Sequence, residues 1–256
     1  MSMKKNLKKI IKKHAVAAYE APKRMFPEPL DISPDDSVYY EFKVSLKYIS
    51  PLIWRRIRVS GDATMWELAN AILDAMGWGK YHLYGFRFSG RRPIDTTHIG
   101  FPSMDMSWFH EENKMRLFVD EYVAQWFAPK QRERAILDYD YGDGWEHEVV
   151  FERIVSKEKG VSYPQCVKGK RACPPDDCGG IGGYEQLIEI VKRGPKTEEE
   201  QDIFEWYLEM NGLDEREKDM MPTWEEFDVF DPGEIIFSTR AELKKDWKEV
   251  LANMCV

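Results

Sequence analysis

The stretch Val38–Gly77, VYYEFKVSLKYISPLIWRRIRVSGDATMWELANAILDAMG, decides how this chain folds. Residues 38–48 alternate and carry β-branched and aromatic side chains, the pattern of a strand with one buried face. Ser50-Pro51 makes a turn, and Ile53–Val59 (IWRRIRV) makes a second strand. The period then changes. Thr64-Met65-Trp66-Glu67 has the form of a capping box, in which the Thr hydroxyl and the Glu carboxylate satisfy the first amides of a helix. Leu68, Ala69, Ile72 and Met76 continue one helical face, and Gly77 stops it. Tyr81–Phe88 reads as a third strand. The order strand, strand, helix, strand predicts an α+β fold, a β-grasp-like mixed sheet with a packed helix.

Outward from that core, Met115–Tyr122 reads as another strand and residues 89–114 as a long loop rich in Gly, Pro and aromatics. Leu137–Ile154 reads as a hairpin, and residues 156–183 as an irregular Cys/Pro/Gly-rich segment. Tyr184–Lys192, Glu198–Met210 and Thr239–Ala252 read as helices. Pro22, Pro27, Pro29 and Pro34 break any period before the first strand. The expected organisation is a basic amphipathic arm and linker (1–37), an α+β domain (38–192) and an acidic C-terminal helical region (193–256).

Hydrophobic residues make up 43% and charged residues 32% of the 256, which places the chain among globular rather than disordered proteins. It contains no run of about 18 apolar residues to cross a membrane, and no apolar segment ahead of a cleavage site near the N-terminus. Four cysteines are too few for a disulfide scaffold, so a reducing, cytoplasmic setting is expected. The net charge of −8 is uneven. Residues 1–24 carry eight Lys/Arg against Glu20 alone, and residues 196–231 carry fourteen acids against three bases. An acidic body repels phosphate backbones, but the basic arm remains open to nucleic acid or an anionic surface. Leu7, Ile10, Ile11, Ala15 and Ala18 give that arm an apolar face. The same face equally suits docking onto the chain's own acidic region or a sister subunit.

Asp138-Tyr-Asp-Tyr-Gly-Asp-Gly-Trp-Glu-His-Glu148 is the most informative segment for chemistry. Asp143-Gly144 matches a two-residue hairpin turn. That turn would set Asp140 directly opposite His147, with Asp138 and Trp145 on the same face. Asp140 would then orient the imidazole of His147 as a base or metal ligand, or the two would form a cross-strand ion pair. Cys166, Cys173 and Cys178 follow within YPQCVKGKRACPPDDCGGIGGY. Three thiols so close suit zinc, with His147 or Asp177 as a fourth ligand, although the spacing lacks C-x2-C knuckles. One thiol acting as a nucleophile with His147 and Asp140, or three inert buried thiols, are the alternatives. Trp54-Arg55-Arg56 with Arg58 forms either a basic strand face or a solvated one, alternation placing Trp54, Arg56 and Arg58 together.

The runs ISPLIWRRIRV, AMGWGKYHLYGFRF, YDYGDGWEHEVVFE and YPQCVKGKRACPPDDCGGIGGY, in this order, resemble the plasmid pRiA4b ORF-3-like family. The resemblance spans about residues 38–192 and continues more faintly through FDVFDPGEI near 227–235. The family pattern highlights Trp54, Arg55, Trp78, His82, Asp140, Gly142, Asp143, Trp145, His147, Cys166, Cys173, Pro174, Pro175, Cys178 and Gly179, and assigns them no role. Family members occur on plasmids and beside mobile elements, yet nothing here resembles a serine or tyrosine recombinase site. The sequence thus points to a binding protein of that family, a mobile-element accessory being one form of it. Asp140 and His147 are its candidate catalytic pair, Trp54, Arg55 and Trp145 its candidate ligand-binding residues, and Cys166, Cys173, Cys178 and His147 its candidate zinc ligands. A metal-dependent hydrolase on Asp140, His147 and the Cys-rich loop is the alternative.

Overall fold

The computed structural model describes residues 26–90, 95–101, 114–210, 212, 224 and 228–254, so the basic arm and Cys255 lie outside the described residues. One eight-stranded sheet carries the fold. Its strands are β1 (Val38–Leu46), β2 (Trp54–Ser60), β3 (Tyr84–Ser89), β4 (Thr96–Gly100), β5 (Lys114–Leu117), β6 (Arg134–Tyr139), β7 (Trp145–Ser156) and β8 (Gln165–Lys170). Their spatial order is β5-β4-β3-β6-β7-β1-β2-β8, with every neighbouring pair antiparallel except β4 and β5. The helices are α1 (Met65–Met76), a short α2 (Val123–Trp126), α3 (Gly180–Arg193), α4 (Glu198–Met210) and α5 (Arg240–Met254). The mixed α+β sheet, its packed helix and the C-terminal helices agree with the sequence.

The sheet is larger than the strand–strand–helix–strand unit alone. β3 pairs with β4 and β6, while β1 lies between β2 and β7. Two strands fall in segments that read as irregular: β4 inside 89–114 and β8 inside 156–183. Both are short, and β8 (QCVKGK) contains a single β-branched residue. Main-chain pairing with β2 makes it a strand, not side-chain propensity. The strand expected over 115–122 ends at Leu117, where a 3-10 turn, Phe118–Asp120, takes over.

The helix α1 begins as its sequence requires. Glu67 N donates to Thr64 Oγ1 (3.2 Å), and Thr64 N donates to Glu67 Oε2 (2.7 Å). Gly77 ends it at φ 84°, a conformation that favours glycine. Leu68, Ile72 and Leu73 of α1 are buried with Phe42 and Val44 of β1, Ile57 of β2, Phe86 of β3 and Leu137 of β6 in one core. At about 1.5–3 kcal/mol per buried large apolar side chain, this layer is the main stabilising term. α5 closes over α1: Trp66 and Trp247 lie 5.1 Å apart, and Trp66 Nε1 donates to Leu243 O. The other sheet face is ionic. Glu41 accepts from Arg58 and Arg153, Arg56 from β2 pairs with Glu152, and Arg87 forks onto Asp138.

The β6–β7 hairpin departs from the expected register. Leu137 pairs with His147 and Tyr139 with Trp145, so residues 140–144 form a five-residue loop. Asp140 closes that loop: its Oδ1 accepts from Gly142 N and its carbonyl from Gly144 N. This Asx turn, with Asp140 at φ 50°, outcompetes the Asp143-Gly144 turn. The register shift is odd, so it exchanges faces. Asp140 and His147 are therefore not cross-strand partners, and Asp138 joins the ionic face. His147 is completely buried, stacked edge-on to Trp78 at 5.0 Å. Its Nδ1 lies 3.1 Å from Leu137 O, which makes it the protonated nitrogen, and Nε2 has no hydrogen-bond partner.

Two outcomes follow from this packing. Thr64→Ala should remove about 1 kcal/mol of stability, read from urea unfolding midpoints; an unchanged midpoint would show the capping box to be dispensable. Burial pushes the His147 pKa down to about 4, with the Leu137 carbonyl opposing. Because the folded value lies below the unfolded one, the unfolded chain binds the extra proton, and stability falls as pH drops from about 6.5 to about 4. A loss on the order of 3 kcal/mol over that window should be absent in His147→Gln. Parallel pH profiles of the two proteins would refute it.

Candidate functional site

The residue that Asp140 meets is His82. It sits in the loop from Trp78 to Leu83, between α1 and β3. That loop is held at its start by two bonds. Trp78 Nε1 donates to Pro174 O at 2.7 Å, and Gly79 N donates to Asp176 Oδ2 at 2.7 Å. Lys80, at φ 62°, bridges Asp74 and Ser238. The His82 ring then stands edge-on to Tyr139 at 5.8 Å.

The opposite wall comes from the Cys-rich segment. Asp176 Oδ1 accepts from Tyr139 OH at 3.0 Å, which sets the neighbouring Asp177 beside His82. Gly179 N donates to Asp143 Oδ2, and a side chain on Gly180 would meet Asp143 O at 2.6 Å. A side chain on Gly183 would meet Cys178 O at 1.8 Å, so the Gly-rich run serves close packing of this segment on the hairpin loop and on itself.

Among the described residues, His82, Asp140 and Asp177 are the group of potential metal ligands whose donor atoms all lie within 4.8 Å of one another. His82 Nε2 is 3.0 Å from Asp177 Oδ1, and Nδ1 is 3.7 Å from Asp140 Oδ2. Nε2 is nevertheless a buried atom without a well-directed hydrogen bond. Asp140 is mostly buried, whereas the Asp177 side chain is 65% exposed, so the group opens to solvent on one side. Exposed Tyr81, Leu83 and Tyr141 neighbour its residues in the chain.

The other residues singled out from the sequence do not converge here. His147 is in the core. Trp145 is 1% exposed and packs against Trp78 at 5.6 Å, so it is not an accessible ligand contact. Trp54 lies on the ionic face under Lys43 and Arg56, while Arg55 points inward and is buried; the two belong to different sides of the sheet. No three of Cys166, Cys173, Cys178 and His147 form a ligand group. Cys173 contacts Met76 Sδ at 3.6 Å. Burial raises all three thiols, Cys173 and Cys178 to about 12, against the pull of Arg55 on Cys173. They are protonated at neutral pH and poor nucleophiles. His82 had one signal in the sequence, its place in the family pattern. Nothing local links it to Asp140 or Asp177.

Known proteins share this arrangement of segments. A protein of unknown function from Methanosarcina mazei, MM3350, has a crystal structure that superposes with a TM-score of 0.63 at 30% identity, covering 80% of this chain and all of that one. An uncharacterized protein of Sinorhizobium fredii, y4hQ, is 30% identical over 164 residues, 64% of this chain and 78% of the relative. The family model described as plasmid pRiA4b ORF-3-like protein matches residues 38–231, from the first strand through the acidic segment beyond α4. The chain belongs to the plasmid pRiA4b ORF-3-like family.

Proposed function

We propose that this protein is a binding protein whose working site is a divalent-cation centre held by His82, Asp140 and Asp177. The observation that carries the reading is the convergence of His82, Asp140 and Asp177, one donor atom from each lying within 4.8 Å of the others, with the buried Nε2 of His82 lacking a well-directed hydrogen bond. One imidazole and two carboxylates are a borderline-to-hard donor set, suited to zinc or manganese and not to a thiol-seeking ion. Asp140 and Asp177 both hold positive φ, 50° and 59°, with Lys80 at 62° beside them. Such backbone conformations cost energy and gather at functional sites. Three protein donors leave positions for water or a bound group, as catalytic rather than structural metal sites do. Metal-dependent hydrolysis is the second reading on that ground, with the metal supplying the activated water.

A cytoplasmic, reducing setting fits the three free thiols Cys166, Cys173 and Cys178. Among the described residues no helix is long and apolar enough to cross a membrane. Contact with nucleic acid rests on the charge of residues 1–24 alone. It predicts salt-dependent binding of duplex DNA that disappears when those residues are removed; equal binding by the truncated chain would refute it.

Titration of metal-free protein with Zn2+ and Mn2+, followed by calorimetry and elemental analysis, should find one ion per chain. Asp140→Asn and His82→Ala should each weaken it at least about tenfold. Cys173→Ser with Cys178→Ser should leave it unchanged. Binding that survives loss of His82, or that is lost with the thiols, overturns the assignment. Hydrolysis of a chromogenic phosphodiester or ester panel by the loaded protein, abolished in Asp140→Asn, tests the second reading.

A further inference from the structure

Arg55 is a buried cation that makes no ion pair among the described residues. Its side chain leaves β2 on the core face and is 2% exposed. Nε donates to Ala75 O at the last turn of α1 (2.8 Å), and Nη1 donates to Trp54 O (3.0 Å) and Lys170 O (3.2 Å). The ring of Phe230 covers the guanidinium at 3.6 Å. Among the described residues Arg55 makes no ion pair, and Asp228, whose charge reaches it, is engaged by Arg171 at 2.6 Å. Among the described residues Nη2 makes no hydrogen bond, and the side chain lines the cleft described next.

A guanidinium taken out of water costs several kcal/mol unless it is paired. Three carbonyls and the negative end of α1 offset part of that cost, but none carries a full charge. Arg55 also lines a cleft of about 440 Å3, bounded by the end of α1, by Trp78 and Cys173, and by residues 229–236. That volume lies within the range of small-molecule sites. Among its lining residues Val229 is 65% exposed and Ile236 is 89% exposed, and Ile235 lines it as well.

The acids around the cleft narrow the ligand. Asp74 is neutralised by Lys80 and by Ser238 N. Asp231 spends one oxygen on Gly233 N, and Glu234 is exposed. A bare carboxylate or phosphate would gain from Arg55 and be repelled by Asp231 and Glu234. A zwitterion gains from both. We propose that this cleft binds a free α-amino acid with an apolar side chain. Its carboxylate is received by Arg55 Nη2, its ammonium faces the acidic rim of Asp231 and Glu234, and its side chain lies against Val229, Ile235 and Ile236. The site is separate from the His82 centre and does not require a metal there.

The test is calorimetry on the full chain in EDTA with L-leucine, L-leucinamide and N-acetyl-L-leucine. Leucine should bind, and each blocked form should bind at least about tenfold more weakly, the effect of losing one charge-assisted contact. Arg55→Lys, which keeps the charge but not the fork, should weaken leucine by a similar factor. If that variant does not fold, Glu234→Gln on the exposed rim should weaken leucine and leucinamide, which carry the ammonium, and leave N-acetyl-leucine unchanged. Equal binding of the three ligands, or no binding of leucine, isoleucine, valine, phenylalanine or methionine at millimolar concentration, overturns the proposal.

Discussion

The carboxylate of Asp176 holds this end of the molecule together. It accepts from Tyr139 OH at the end of β6 and from Gly79 N after α1, and so fastens the Cys-rich segment to both. Burial, reinforced by Asp176, pushes the Tyr139 pKa up, which keeps the phenol a donor across the neutral range. Trp78 adds its indole bond to Pro174 O and stacks on Tyr139 at 4.8 Å. Without this clamp Asp177 would have no fixed place relative to His82, and Cys173 would lose its seat against Met76. The His82–Asp140–Asp177 group and the Arg55 cleft both draw residues from this clamped segment, so both depend on it.

How much of this was legible in the sequence follows from how local each decision is. The capping box, the face of α1 and its Gly77 stop involve neighbours within one turn, and they form as read. The hairpin was half legible. Its two strands are where alternation puts them, but two turn signals compete within five residues. Asp140 wins through a side-chain bond to Gly142 that no dipeptide preference records. That choice moved the register by an odd number, buried His147 and freed Asp140 to face His82. His82, Asp140 and Asp177 come from three separate loops, and only the fold brings such residues together.

The thiols show the same limit from the other direction. Their clustering in sequence suggests convergence, but Cys166 lies on the edge strand β8, Cys173 under α1 and Cys178 at the entrance to α3. Cysteine is a small hydrophobe when buried, and the elevated pKa values are what apolar surroundings impose. Spacing without knuckle geometry did not distinguish a metal clip from packing, and packing is what the contacts describe.

Charge pairing decides where the sheet can recognise anything. Trp54, Arg56 and Arg58 do share a face, as alternation requires, but that face is an ion-pair lattice. Glu41 takes two arginines, Glu152 takes Arg56, and Asp138 with Glu146 takes Arg87. Phosphate would have to displace a carboxylate at each step, against an acidic body, for a gain that exposed pairs keep below about 1 kcal/mol. The core face differs. There Arg55 is bonded to carbonyls and makes no ion pair among the described residues, beside a cleft lined in part by Val229, Ile235 and Ile236. A buried cation without an ion pair among the described residues is a place where binding an anionic group gains most, because the desolvation cost is already borne by the fold.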